Sequence, residues 1–293
     1  MRRRRFLQIV AASAWLPGGA QAAAERRWQG RALGAEAEVR LSGDALAAEA
    51  ALAAIPPLLA RIEAEFSLFN PASALSRLNA GGGLSAVSPM FHDLCDLCDT
   101  LHRATGGSFD PTVQPLWRAL ADGGDVAGAA ALIGWGRVRR DAGIRLGPGQ
   151  ALTFNGIAQG FATDAVRALL ATAGFTQALV NIGEFAALGG PFSLGIEDPA
   201  AGLLARRRIS GTAIATSSPG ALSIGGRPHI LHPAGRAARW STVSVEADSA
   251  ALADGLSTAL VFATAGEARG IRARLPGCGR ITVVDAHGDL STF

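Results

Sequence analysis

The segment Leu152-Thr153-Phe154-Asn155-Gly156-Ile157-Ala158-Gln159-Gly160-Phe161 constrains this chain more than any other. Thr153 and Phe154 end a short extended run that follows the turn residues Gly147-Pro148-Gly149. From Phe161 onward, Phe161, Ala165, Ala168 and Leu169 recur at helical steps. Asn155-Gly156 makes the turn between them, and the small residues let backbone groups approach a neighbour closely. An extended run, a small-residue turn and a helix N-terminus form a geometry that can receive phosphates. The same pattern also suits a plain tight joint, and it matches neither the Walker spacing nor the dinucleotide fingerprint.

The elements around this joint interleave without the strict rhythm of a doubly wound sheet. Strands are expected from Ala32 to Leu41, Ala178 to Glu184, Phe192 to Ile196, Ile209 to Ala215, Ser241 to Val245 and Arg280 to Asp285. A helical pattern from Asp44 to Phe66 is interrupted by Pro56-Pro57, so two helices are expected. Further helices are expected over Ser88 to Thr105, capped by Ser88 and stopped by Gly106-Gly107, and over Ser249 to Phe262. Ser73 reads as the cap of a short helix carrying Leu75 and Leu78. Residues 123–150 read as a small helix followed by short strands near Val138 and Ile144. This order argues for α+β, and no low-complexity linker divides residues 23–293.

Residues 1–22 read as a cleaved export signal. Arg2 to Arg5 precede the apolar stretch Ile9 to Leu16, and Ala20-Gln21-Ala22 supplies a small-x-small cleavage site. Arg3-Arg4-x-Phe6-Leu7 fits the twin-arginine pattern, which points to the periplasm and leaves residence at the membrane surface open. Losing this segment removes four arginines and no acid, and takes the formal charge from +3 to −1. Nucleic-acid binding thereby loses its electrostatic argument. No internal apolar run reads as long enough for a membrane span. Lys and Tyr are absent, which excludes Schiff-base and Tyr acid–base chemistry. Cys95 and Cys98 lie in a helical pattern with no second pair, so a zinc ribbon is not indicated.

Two constellations carry chemistry. Asp254 and Thr258 lie four residues apart on one helix face, offering hard oxygen donors suited to Mg²⁺, or else a solvated face. His229 and His232 form either a metal half-site or, singly, an acid–base group near neutrality.

Seven segments in order add a further layer. They are Phe66 to Asn79, Phe109 to Leu116, Gly156 to Phe161, Val180 to Gly183, Ala215 to Ser217, His229 to Pro233 and Ala253 to Leu260. Together this series resembles the ApbE family of FAD:protein FMN transferases. The resemblance implies a single compact α+β domain of mixed, largely antiparallel sheets flanked by helices. It also implies an exported Mg²⁺-dependent enzyme that attaches the FMN part of FAD to a Thr or Ser of an acceptor protein, releasing AMP. By the resemblance, Asp254, Thr258 and the Gly156 carbonyl would hold Mg²⁺. His229 would be the base, and Phe69 would lie against the flavin. Leu33, Phe109, Asp110, Thr153, Gln159 and Ile230 would fall at or near FAD contacts. This chain departs from the commoner pattern at Thr153 (Asp in many relatives), Gln159 (Lys or Glu), Glu184 (following Gly183 where Gly-Asp is common), His232 (Asp) and Phe69 (Tyr). An FAD pyrophosphatase or a non-catalytic FAD-binding protein would present the same features.

Overall fold

The structure, a computed structural model, describes residues 25–141 and 143–293, so the expected export signal lies outside the described residues. The described chain opens on the hairpin β1 (Glu25–Ala32) and β2 (Ala35–Ser42). Leu33 and Gly34 form its turn, with φ of 49° and 83°, a pair of positive values whose twist suits a two-residue hairpin. Leucine is strained there, and its N–H donates to Glu63 Oε1 at 2.7 Å. β1 escapes the sequence reading because it is an edge strand rich in Arg and Glu, with no apolar alternation.

α1 (Ala45–Ala53), capped by Asp44, runs through a helical Ala54 into α2 (Ile55–Phe66). Pro56 and Pro57 sit in the first turn of α2, where missing N–H groups cost nothing. The expected pair of helices is present, but it is nearly continuous. The run Ala45–Phe66 has 22 residues and an 18-residue window with a mean hydropathy of 1.5, long and apolar enough by length and composition to cross a membrane. This corrects the expectation that no internal run reaches that length. In the fold, Leu52, Ile55, Leu59, Ile62 and Phe66 of this run are buried in the core.

α3 (Ala74–Gly81) is capped by Ser73 and α4 (Pro89–Ala104) by Ser88, as expected; between them lies the short β3 (Gly83–Leu84). Cys95 and Cys98 are fully buried on α4, and burial pushes the Cys95 thiol up to about 12, which makes it inert. A 3₁₀ turn, Pro111–Val113, leads into α5 (Gln114–Asp122) and α6 (Val126–Ala131). β4 (Ile144–Arg145) then pairs with β3. α7 (Ala158–Thr172) starts three residues before the helical periodicity shows.

The rest of the chain is mostly sheet. β5 (Ala178–Asn181) and β6 (Phe185–Leu188) precede a separate ribbon, β7 (Phe192–Asp198) with β8 (Gly202–Ile209). β9 (Ala213–Ser217), the small hairpin β10 (Ser223–Ile224) and β11 (Arg227–Pro228), and β12 (Thr242–Ala247) follow. α8 (Ala250–Leu260), α9 (Ala265–Arg274), β13 (Cys278–Val284) and β14 (Leu290–Thr292) close the chain. Eight strands form one sheet in the order β1-β2-β5-β6-β9-β12-β13-β14. Every strand pair among the described residues is antiparallel, in keeping with the expected largely antiparallel sheets. α7 packs on β5 and β6, α8 packs on β9 and β12, and α2 and α4 cover these two helices. The fold is α+β, an antiparallel sheet flanked by helices.

Candidate active site

The segment Leu152–Phe161 is fixed from three sides. The Asn79 carboxamide accepts from Leu152 N at 2.7 Å and donates to Leu152 O at 2.9 Å. Thr153 N donates to Pro111 O at 2.9 Å, which ties the segment to the Phe109–Val113 loop. Phe66 meets Phe154 and Phe161 edge-on, with centroids 5.6 and 5.5 Å apart. Residues 151–154 are therefore held in place without joining a strand.

Beyond the turn, Gly160 lets two helix N-termini meet. A Cβ there would stand 2.4 Å from Ala250 O and 2.7 Å from Ala251 Cα. The helices cap each other across this contact. Asp254 Oδ2 of α8 accepts from Gly160 N at 3.0 Å, while Asp164 of α7 accepts from Ala250 N and Ala251 N at 2.9 and 2.8 Å. The sequence reading missed Asp164, whose only signal was an acidic residue two turns into a helix.

The solvated-face alternative for Asp254 is overturned. α8 is buried on nearly every side, and Asp254 is 4% exposed. Thr258 is its half-open position. Burial pushes the Asp254 carboxyl up to about 7, against the pull of the Gly160 N–H, and Asp164 adds to the rise. Glu184 lies beside it, its carboxylate enclosed and accepting from Thr216 N at 3.1 Å. Burial, and then the Asp254 charge, push Glu184 well above the ordinary range. Thr258 Oγ1 lies 3.4 Å from Ser217 Oγ, and Ser217 bonds Ser257 at 2.8 Å. A Cβ on Gly156 would meet Thr258 Oγ1 at 2.9 Å, so only glycine fits against that hydroxyl. Gln159 packs over Gly183, at the turn that carries Glu184.

Gly156, Gln159, Glu184, Ser217, Asp254 and Thr258 thus share one neighbourhood. Asp254 Oδ1 takes no hydrogen bond among the described residues, which leaves a carboxylate oxygen beside a threonine hydroxyl. Hard oxygens and repelling buried carboxylates suit a divalent cation such as Mg²⁺. No group of three or more His, Cys, Asp or Glu exists among the described residues to hold a metal. The carboxylate and hydroxyl present are of the donor type that suits Mg²⁺, which commonly takes one or two carboxylates and completes its shell with water and phosphate oxygens.

His229 joins this neighbourhood through the loop after β9. Its Nδ1 lies 3.3 Å from Pro219 O and 3.2 Å from Leu222 O. Carbonyls only accept, so Nδ1 carries the proton and Nε2 is the basic nitrogen of the neutral ring. His232 faces elsewhere. Its Nδ1 accepts from Ala234 N at 2.9 Å, and Nε2 meets Ser108 Oγ at 3.2 Å. Burial, then Arg236, hold its pKa below the usual histidine value. The two rings engage different partners, and the metal half-site alternative gains nothing.

The remaining expected residues divide. Phe69 is 90% exposed, on a loop where Ser67 Oγ accepts from Phe69 N and Asn70 N at 3.2 and 3.1 Å. An ordered loop presenting a bare aromatic ring suits stacking. Leu33 reaches the same end of α2 through Glu63. Ile230 is half-buried against the main core beside His229, and Thr153 is half-buried with its Oγ1 accepting from Asn155 N at 3.2 Å. Phe109 is 6% exposed in the core. Asp110 Oδ1 accepts from Thr112 N and Thr112 Oγ1 at 2.8 and 2.5 Å, and Oδ2 accepts from Trp135 N at 3.1 Å. Both side chains are occupied inside the protein, so any ligand contact from this stretch falls to its backbone.

Residues 33–279 match the sequence pattern of the ApbE family. No curated protein matches the sequence. Among solved structures, the ApbE protein from Thermotoga maritima superposes with a TM-score of 0.81 at 22% identity, covering 92% of this chain and 96% of that one. The flavinyl transferase ApbE from Pseudomonas stutzeri, in its apo form, gives 0.79 at 24% identity, covering 94% and 97%. The flavin transferase ApbE from Vibrio cholerae gives 0.77 at 22% identity, covering 92% and 97%. With the family pattern spanning most of its length, this chain belongs to the ApbE family.

Proposed function

We propose that this chain is a periplasmic, Mg²⁺-dependent FAD:protein FMN transferase, exported by the twin-arginine signal over residues 1–22. Family membership supports flavin transfer, as do the flavin transferases it superposes with. The observation that carries the cation and diphosphate reading is the Asp254–Thr258–Gly156 junction, where Oδ2 of Asp254 accepts from Gly160 N and Oδ1 takes no hydrogen bond among the described residues, one helical turn from a hydroxyl.

Asp254, Thr258 and the Gly156 carbonyl would hold Mg²⁺, which when bound supplies charge neutralisation at a diphosphate. The N-terminus of α7 adds a positive dipole end beside it. Phe69 and Leu33 would border the flavin ring, with Thr153, Gln159 and Ile230 lining the approach and Phe109 and Asp110 shaping the loop behind. His229 Nε2 takes the proton of the acceptor Thr or Ser hydroxyl. That oxygen bonds to the phosphorus of the FMN half, the bond to the bridging oxygen breaks, and AMP leaves with it.

The product separates transfer from hydrolysis. FAD, Mg²⁺ and a threonine-bearing acceptor should yield AMP and an acceptor heavier by one FMN unit. AMP with free FMN would instead identify a pyrophosphatase, and stable FAD binding without AMP a binding protein. His229→Ala should retain FAD binding and lose transfer by on the order of 100-fold to 10,000-fold. Equal rates across pH 6 to 8 would remove His229 as the base.

A further inference from the structure

A cleft of about 1030 Å³ is lined by none of the residues placed in the active site. One wall is the face of α5 that carries Pro115, Arg118, Ala119 and Asp122, spaced as one helical stripe. Opposite stand Gly81–Gly83 and the turn from Arg145 to Gln150. Arg118 and Arg145 are both exposed, and neither has an acidic partner among the described residues. The glycines keep the wall low: a Cβ built on Gly81 or Gly82 meets nothing within 4 Å.

Two contacts connect this cleft to the active site. Asn79, at its floor, clamps Leu152 at the head of the Leu152–Phe161 segment. The other side of α5 packs Leu116 and Leu120 against Ile224, in the β10–β11 hairpin that immediately precedes His229. Without residues 1–22 the chain has a formal charge of −1, so an anionic partner has no general attraction to it. Two arginines without acidic partners in one open cleft supply a local one.

We propose that this cleft docks an acidic segment of the acceptor protein, presenting its hydroxyl toward His229; this rests on the transferase reading above. Guanidinium groups on facing walls would grip carboxylates from both sides of an extended segment, while Asp122 opposes them. The site selects acceptors by charge and leaves the flavin contacts untouched.

The test uses the full chain with a fluorescein-labelled octaglutamate peptide, octaglutamine as control, and AMP release from FAD and Mg²⁺ with a threonine-bearing acceptor that has no acidic segment, on the same preparations. Octaglutamate should bind saturably and octaglutamine should not. Arg118→Glu with Arg145→Glu should weaken octaglutamate at least about tenfold at low salt, with FAD affinity and AMP release unchanged. Asp122→Asn should tighten it by about twofold to threefold. Equal binding by the double variant, or equal binding of octaglutamine, would overturn the cleft as an acidic-segment site. Complete displacement by about 10 mM inorganic phosphate would overturn it in favour of a small-anion pocket, since one bound phosphate cannot replace a multi-point contact. Octaglutamate binding by a wild-type chain that releases no AMP would sink the transferase reading, and with it the assignment of the segment to an acceptor.

Discussion

Asp254 and Asp110 are both buried aspartates, 4% and 7% exposed, and both stand in segments that resemble ApbE motifs. Their valences differ. Asp110 has three donors on its two oxygens, all from its own loop or from Trp135, and it knits residues 109–113 to the 3₁₀ turn Trp135–Arg137. Asp254 has one donor, Gly160 N, and keeps an oxygen for something else. A carboxylate whose hydrogen bonds are all made serves the fold. One left half-satisfied, its pKa raised by burial and then by the Asp164 charge, is held at a cost the fold does not recover.

The largest effect expected from this contrast is on turnover. Asp254→Asn should cut Mg²⁺-dependent AMP release by on the order of 100-fold or more, since even outer partners of metal ligands cost about 10-fold to 100-fold. It should not lower the melting temperature, because an asparagine oxygen can still accept from Gly160 N. Asp110→Asn should do the reverse. It removes charge-assisted bonds from a buried turn, lowers stability by roughly 2 kcal/mol in a denaturant titration, and spares turnover below its melting point. Swapped outcomes would invert the assignment.

Gly160→Ala tests whether close helix contact places Asp254. The added methyl must push Ala250 and Ala251 away, which should destabilise by about 1–3 kcal/mol and reduce turnover together. Loss of stability with full activity would show that the Asp254 position tolerates movement.

A smaller effect follows from pH. The Asp254 carboxyl is raised to about 7 from 3.8. Its folded pKa lies above its unfolded one, so the unfolded chain gives up this proton first. Cation-free stability from this group is fully present below about pH 4 and falls as pH rises toward 7. The melting temperature of Asp254→Asn should therefore gain on the parent between pH 5 and 8, and the stabilisation by added Mg²⁺ should grow over the same range. A gap that stays constant with pH would mean the carboxylate is ordinarily solvated. The smallest effect expected is that of Thr112→Val. It deletes the hydroxyl that donates to Asp110 and accepts from Gly134 N, at about 1 kcal/mol in stability and nothing in turnover.

These two aspartates also show what the sequence made legible. The four-residue step from Asp254 to Thr258 puts both on one helical face, so their pairing is readable from spacing. Glu184 and Ser217 join them only because β6 and β9 are neighbours in the sheet, and nothing local announces that. The resemblance implies an FAD contact at or near Asp110, and the sequence does not show the donors of that acid; Trp135, 25 positions away, supplies one of them. The core helices and inner strands carried their periodicity, whereas β1 and β8, polar and exposed, did not. The caps at Ser73 and Ser88 were legible because a cap is a local bond.

The central claim is that the oxygen left on Asp254 holds a divalent cation with Thr258 and Gly156. Calorimetric titration of Mg²⁺ into the FAD-loaded chain measures this directly. The parent should bind at one saturable site, Asp254→Asn should show no binding there, and Asp110→Asn should bind as the parent does. Equal Mg²⁺ affinity in the parent and in Asp254→Asn would contradict it.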